Sequence, residues 1–80
     1  MKVEVILDDY AVFRGVTLPR DFDEPLVREV MAQAALRYPA CRLFLLRFEP
    51  MIAVTGISCA QTECCHYLRR ELEDERGNGV

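Results

Sequence analysis

The chain has 80 residues, a length that fits one domain and leaves no room for a second. Apolar residues make up 51% and charged residues 29%, which is typical of a globular protein and excludes a disordered or low-complexity chain. The formal net charge of −3 disfavours direct binding to duplex DNA, because DNA-binding domains are normally basic. We expect a single domain over residues 1–80.

No apolar run approaches the roughly 20 residues that a membrane-spanning helix needs. Residues 1–7 carry Glu4 within their apolar run and lack the long apolar stretch and cleavage site of a signal peptide. We therefore expect a cytoplasmic protein without membrane association, whose cysteines are reduced thiols. The four cysteines are Cys41, Cys59, Cys64 and Cys65.

The N-terminal part of the chain predicts one strand followed by an irregular segment. Residues 2–7 place apolar side chains at every second position, as in a half-buried strand, and two aspartates then favour a turn. Residues 10–22 fit either a second strand near 10–16 or a long loop. Gly15 and Pro19 favour the loop, which is our interpretation of this segment.

The clearest helix is predicted over residues 24–38. Asp23 is a suitable N-cap, and Pro25 falls in the first turn, where its missing N–H has no consequence. Pro39 ends the helix, because it disfavours helical backbone in the residue before it. The predicted apolar face consists of Leu26, Val27, Val30, Met31, Ala34, Ala35 and Tyr38.

A hairpin and a second helix follow the first helix. Residues 41–48 and 52–57 are rich in apolar side chains and are separated by a short turn, which predicts two antiparallel strands. Ser58 begins the last helix as the N-cap of a capping box with Gln61, and this helix extends to about residue 75 or 76. The side of the last helix that should face the sheet consists of Gln61, Cys64, Cys65, Leu68 and Leu72.

These elements define an α+β fold in the order strand-helix-strand-strand-helix. Amphipathic helices bury their apolar faces most economically against a sheet, so we expect both helices on one face of a three-stranded sheet. An extra strand at residues 10–16 is the alternative to the loop and would give a fourth strand.

The last helix carries an acidic stripe that contains one aromatic residue. The stripe consists of Glu63, Tyr67, Glu71 and Asp74, with Arg70 beside it. Charge patterning alone favours a solvated face held by i,i+4 pairs such as Arg70 with Asp74. The alternative is a docking surface for a basic partner. Tyr67 is either an anchor in such an interface or rests on the sheet edge.

The first strand of the hairpin is apolar on both faces. Phe44, Leu46 and Phe48 share one face, and Leu43 and Leu45 share the other. Helices on one side of the sheet cover only one of these rows, and exposed apolar patches mark interaction sites. This pattern favours a homodimer or a partner interface, and Phe44, Leu46 and Phe48 are the candidates for self-association.

The cysteines and the single histidine do not match a metal or catalytic motif. Cys64 and Cys65 are adjacent, so on a helix they point about 100° apart, and His66 projects away from both. Neighbours on a helix do not face each other, which also argues against a Cys65–His66 nucleophile pair. We therefore predict no metal, no cofactor and no catalytic residue, with the cysteines filling the core.

Three segments resemble the DinI-like family of small bacterial modulators of the SOS response, which includes ImpC-type and MsgA-type relatives. Residues 2–8 are similar to the family's first strand, and residues 36–39 resemble the aromatic-proline exit from its first helix. Residues 52–58 resemble the apolar segment that leads into the family's second helix. The resemblance covers residues 2–8 and 24–75.

The resemblance implies a strand-helix-strand-strand-helix fold and a non-enzymatic regulator that binds the RecA nucleoprotein filament. Such proteins tune the co-protease activity of RecA toward the LexA repressor, through an acidic stripe on the second helix that mimics the charge of the DNA backbone. By position, this role falls to Glu63, Glu71, Asp74 and Glu75, with Glu73 as a weaker candidate. The alternative function is a phage- or plasmid-borne interaction module or inhibitor that dimerises through its exposed sheet face.

Overall fold

The computed structural model describes residues 2–7 and 14–77, with side chains as far as residue 73. The four strands form one antiparallel sheet in the order β1-β2-β4-β3, and both helices pack on one face of it. The predicted α+β fold is therefore confirmed, with four strands instead of three. The elements are β1 (Glu4–Ile6), β2 (Arg14–Thr17), α1 (Glu24–Arg37), β3 (Cys41–Leu46), β4 (Met51–Gly56) and α2 (Ser58–Gly77).

Strand β2 shows that the loop interpretation was wrong for part of its segment. β2 pairs with β1 on one side and with β4 on the other, so the alternative of an extra strand is the one realised at Arg14–Thr17. Residues 10–13 lie outside the described residues. Gly15 resembles a turn signal in the sequence, but a Cβ at this position would lie only 2.6 Å from the Ile52 carbonyl oxygen. The glycine therefore marks a close approach between two strands.

Helix α1 begins and ends as the sequence predicts. The Asp23 carboxylate accepts a hydrogen bond from the Leu26 N–H at 3.2 Å, and Pro25 lies in the first turn. Helical structure ends before Pro39, as expected for the residue ahead of a proline. Val27, Val30 and Ala34 are its buried residues, whereas Ala35, predicted on the same face, is exposed.

The β3–β4 hairpin is shorter than the sequence predicts. β3 ends at Leu46, and residues 47–50 form the turn to β4. Phe48, predicted to share a strand face with Phe44, lies in this turn, which corrects its placement. The strand prediction extended too far because the apolar pattern continues past the point where the chain reverses.

The core lies between the sheet and the two helices. Ile52 and Val54 of the central strand β4 are fully buried, as are Leu68 and Leu72 of α2. Burying a side chain of this size contributes about 1.5–3 kcal/mol to folding. The sheet-facing side predicted for α2 is confirmed at every position, namely Gln61, Cys64, Cys65, Leu68 and Leu72.

Candidate functional site

The solvent-facing side of α2 carries part of the acidic set predicted to bind a partner. Glu63 is exposed and Glu71 is half-buried. Asp74 and Glu75 belong to the same helix, but their side chains lie outside the described residues. Glu73, the weaker candidate, pairs with Arg69, with Oε1 and Nε 3.4 Å apart. An exposed i,i+4 pair of this kind contributes only roughly 0.3–0.5 kcal/mol.

Two arginines lie among these carboxylates. His66, Arg69 and Arg70 are exposed, and together with Glu73 they line a shallow depression of about 270 Å³. His66 is thus a surface residue. The solvent-facing side of α2 therefore has mixed charge, and its carboxylates are separated by basic side chains and do not form one continuous acidic surface.

Tyr67 is not available as an interface anchor, which corrects its place in the predicted partner-binding set. The side chain is only 7% exposed, and its ring meets that of Tyr38 edge-on, with the centroids 5.9 Å apart. The Arg37 guanidinium lies 4.8 Å from the Tyr67 ring centroid, in a cation–π contact. The ring therefore packs α2 against the C-terminal end of α1.

The N-terminal end of α2 is held by Arg14, and the capping-box prediction was wrong. One guanidinium nitrogen of Arg14 donates to Ser58 Oγ at 2.8 Å and to Gln61 Oε1 at 2.7 Å. Gln61 Nε2 donates to the Gly56 carbonyl oxygen at 2.8 Å, and the Gln61 N–H donates to the Ile57 carbonyl oxygen. Hydrogen bonds from a charged donor are stronger than neutral ones, so these side chains fix β2 against the start of α2.

Three of the four cysteines fill the core. Cys41, Cys64 and Cys65 are buried, as predicted, whereas Cys59 is exposed, so the core-filling prediction was wrong for Cys59. Burial raises the pKa of Cys64 to about 12 and that of Cys65 to about 11, which keeps both thiols neutral at pH 7. Among the described residues, no three His, Cys, Asp or Glu side chains are placed to hold a metal ion.

The sheet face opposite the helices carries exposed apolar side chains. Phe44 and Leu46 of β3 lie on this face, 49% and 40% exposed, and Phe48 in the following turn is fully exposed. Leu43 and Leu45 point to the helix layer and pack against the core. Phe44 and Leu46, two of the three residues predicted for self-association, therefore lie on the open face, whereas Phe48 is exposed in the turn.

The central strand β4 also directs side chains to the open face. Met51 and Ala53 of β4 lie opposite Leu46 and Phe44. A Cβ at Gly15 would lie 2.5 Å from Met51 Cε, so the methionine side chain covers the glycine. Met51 and Ala53 are themselves buried, so the large apolar side chains exposed on the described part of this face include Phe44 and Leu46 of β3.

Comparison of the chain with protein-family models, with curated proteins and with solved structures finds no match. The resemblance to the DinI-like family therefore stays a prediction. The segment likened to that family's first strand contains β1, whereas the strand that leads into α1 is β2. Within the described part of the chain, no helix is long and apolar enough to cross a membrane.

Proposed function

We propose that this protein is a non-enzymatic regulator that binds RecA nucleoprotein filaments through carboxylates of α2 and modulates the SOS response to DNA damage. The observation that carries the proposal is that α2, a helix of 20 residues, buries one side in the core and, among its described side chains, leaves Glu63 exposed and Glu71 half-buried. The order from β2 onward is strand-helix-strand-strand-helix, which agrees with the fold that the resemblance implies. RecA filaments form on DNA, so the proposal places the protein in the cytoplasm.

The spacing of the carboxylates supports binding to a surface that otherwise contacts phosphates. Glu63 and Glu71 are separated along the helix axis by about 12 Å, at a rise of about 1.5 Å per residue. A rigid helix holds them at this separation without further ordering. Their attraction to a basic groove would speed association and would weaken as salt screens it.

The test is binding of the fluorescently labelled protein to RecA assembled on single-stranded DNA, followed by polarisation over a salt series. We expect saturable binding that weakens as salt rises. Changing Glu63 and Glu71 together to Lys should weaken binding about tenfold or more, because attraction becomes repulsion at both positions.

The matched control changes Asp21 and Glu29 to Lys, which alters the net charge equally but leaves α2 intact. Both control residues are exposed. Equal loss in the two double variants would show that only net charge matters and would reject the α2 surface. Failure of the unmodified protein to bind at low salt would reject the RecA proposal itself.

A second candidate function is an interaction module or inhibitor that dimerises through its open sheet face. The exposed side chains of Phe44, Leu46 and Phe48 favour it. Sedimentation over a concentration series should then show a monomer–dimer equilibrium that is lost when Phe44 and Phe48 are changed to Ser. Leu36→Ser is the control, since Leu36 is also strongly exposed but lies on α1. A monomer at every concentration would reject this candidate.

A further inference from the structure

Strand β3 forms one edge of the sheet and is suited to receive another strand. Within the described sheet it pairs only with β4. In an antiparallel ladder, alternate residues direct their N–H and C=O groups away from the partner strand, so the outer edge of β3 presents backbone donors and acceptors. Edge strands are commonly protected by shortness, proline or several charges. β3 has six residues, no proline and a single charged residue, Arg42.

A groove of about 420 Å³ lies between this edge and helix α1. Ala32 and Ala35 of α1 are exposed and too small to reach across to the strand. Met31 of α1 and Leu43 of β3 also line the groove, and both are half-buried and apolar. An extended segment paired with β3 would place every second side chain into this space, because strand side chains alternate between the two faces.

The charge of the groove favours an acidic ligand. Arg28 and Arg42 line it, and no acidic residue does. Arg28 bonds Glu24 at 2.8 Å, yet its side chain remains 54% exposed. Arg42 is exposed and makes no ion pair with any residue in the described part of the chain. The groove is thus a cationic region on a protein of net charge −3.

We propose that this groove binds an acidic, extended peptide segment of a protein partner, which adds to the sheet beside β3. Apolar side chains of the segment enter the space between α1 and Leu43, and the alternating acidic side chains lie on the same face as Arg42. Six residues of strand span about 20 Å, which matches the length of β3. A second copy of the chain is the poorer occupant, because it would bring its own Arg42 to the same edge.

The proposal does not rest on RecA binding. The groove lies between α1 and β3 and is cationic, whereas the RecA proposal uses carboxylates on α2. Binding at each surface is therefore measured separately, and either proposal can fail while the other stands.

The test is fluorescence polarisation with a labelled eight-residue peptide of alternating Val and Glu. A peptide of alternating Val and Lys controls for charge, and a peptide of four Val followed by four Glu controls for composition without strand alternation. We expect saturable binding of the alternating Val–Glu peptide, weakened by salt, and no saturable binding of either control peptide. Arg42→Glu should weaken it at least about tenfold, whereas Arg70→Glu on α2 should not.

A second pair of variants tests whether the peptide needs the open space of the groove. Ala35→Trp should fill the space and abolish binding, whereas the neighbouring Leu36→Trp should leave binding unchanged, because Leu36 does not line the groove. Amide NMR shifts confined to β3 and α1 would support strand addition. Equal affinity for the block peptide, or no binding up to about 1 mM peptide, would overturn the proposal. Dimerisation of Arg42→Glu without peptide binding would also overturn it, since the arginine would then only prevent self-pairing.

Discussion

The two faces of the sheet use the same central strand in opposite ways. Ile52 and Val54 point into the helix layer and are completely buried, whereas Met51 and Ala53 point to the opposite face and are 7% and 8% exposed. On the covered face, apolar side chains fill the space between the sheet and the helices, and their burial stabilises the fold. No helix packs on the open face in the described structure, and Phe44 on this face remains exposed. Of the two faces, the first should therefore determine stability, whereas the exposed residues of the second can contribute to binding.

The largest effect is expected in the covered layer. Leu68→Ala removes a fully buried side chain of α2 and leaves a cavity, so the free energy of unfolding should fall by about 2–5 kcal/mol. Urea denaturation measures this change. Phe44→Ala provides the comparison on the open face. A loss from Phe44→Ala as large as that from Leu68→Ala would show that the two faces do not divide stability and binding.

A smaller loss in the free energy of unfolding is expected where hydrogen bonds of polar side chains connect β2 to the start of α2. Gln61→Ala removes an acceptor for Arg14 and the donor to the Gly56 carbonyl, at a position that is 4% exposed. Disrupting such buried hydrogen bonds costs about 1–3 kcal/mol. Thermal and urea unfolding should show this loss, with Glu63→Ala at the exposed neighbouring turn as control. Equal stability of both variants would mean that the Arg14 contacts do not hold β2 to α2.

The buried thiols should make the stability of the protein depend on pH in the alkaline range. The pKa of Cys64 is about 12 in the folded protein, against an ordinary value of 9.0. Above pH 9 the unfolded chain therefore loses thiol protons that the folded chain keeps, so stability should fall as pH rises from about 9 toward 12. Replacing Cys64 and Cys65 together with Ala should flatten this decline, when each protein's stability is compared with its own value at pH 7. An unchanged alkaline profile in the double variant would contradict the burial of these thiols.

The smallest effect is expected from a polar substitution on the open face. Phe44→Ser should change the free energy of unfolding by no more than about 0.5 kcal/mol in dilute solution, because the ring is half exposed already. Chemical denaturation at low protein concentration measures this, and solubility at high concentration should rise. A large loss would place Phe44 in an intramolecular contact and remove the open face as an interaction surface.

The sequence predicts the elements that local signals define. The Asp23 cap, Pro25, Pro39 and the helical periodicity of α2 give both helices correctly, because each signal acts within a few residues. The inward side of α2 follows from that periodicity as well. The identity of the open row on β3 does not follow, since both of its rows are apolar and only the position of the helices separates them.

The missed features all depend on partners distant in sequence. Strand β2 is short and contains Gly15, whose role is clear only when β4 lies against it. The Arg14 contacts join β2 to the start of α2, and Tyr67 is buried by residues at the end of α1. No local pattern in the sequence indicates these contacts. Gly15 followed by apolar Val16 is the one signal that could have indicated a strand.

The position of β4 in the sheet has a consequence for how the protein is made. β2 pairs with β4, so the middle of the sheet joins segments from opposite halves of the chain. During synthesis on a ribosome, β1 and β2 emerge well before β4, with which β2 pairs, whereas β3 and β4 emerge one directly after the other. We therefore expect the hairpin and α1 to order first and docking of β2 to limit the folding rate, as non-local pairing is slow. Until that step, an incomplete β-sheet is open to capture by chaperones or by another nascent chain.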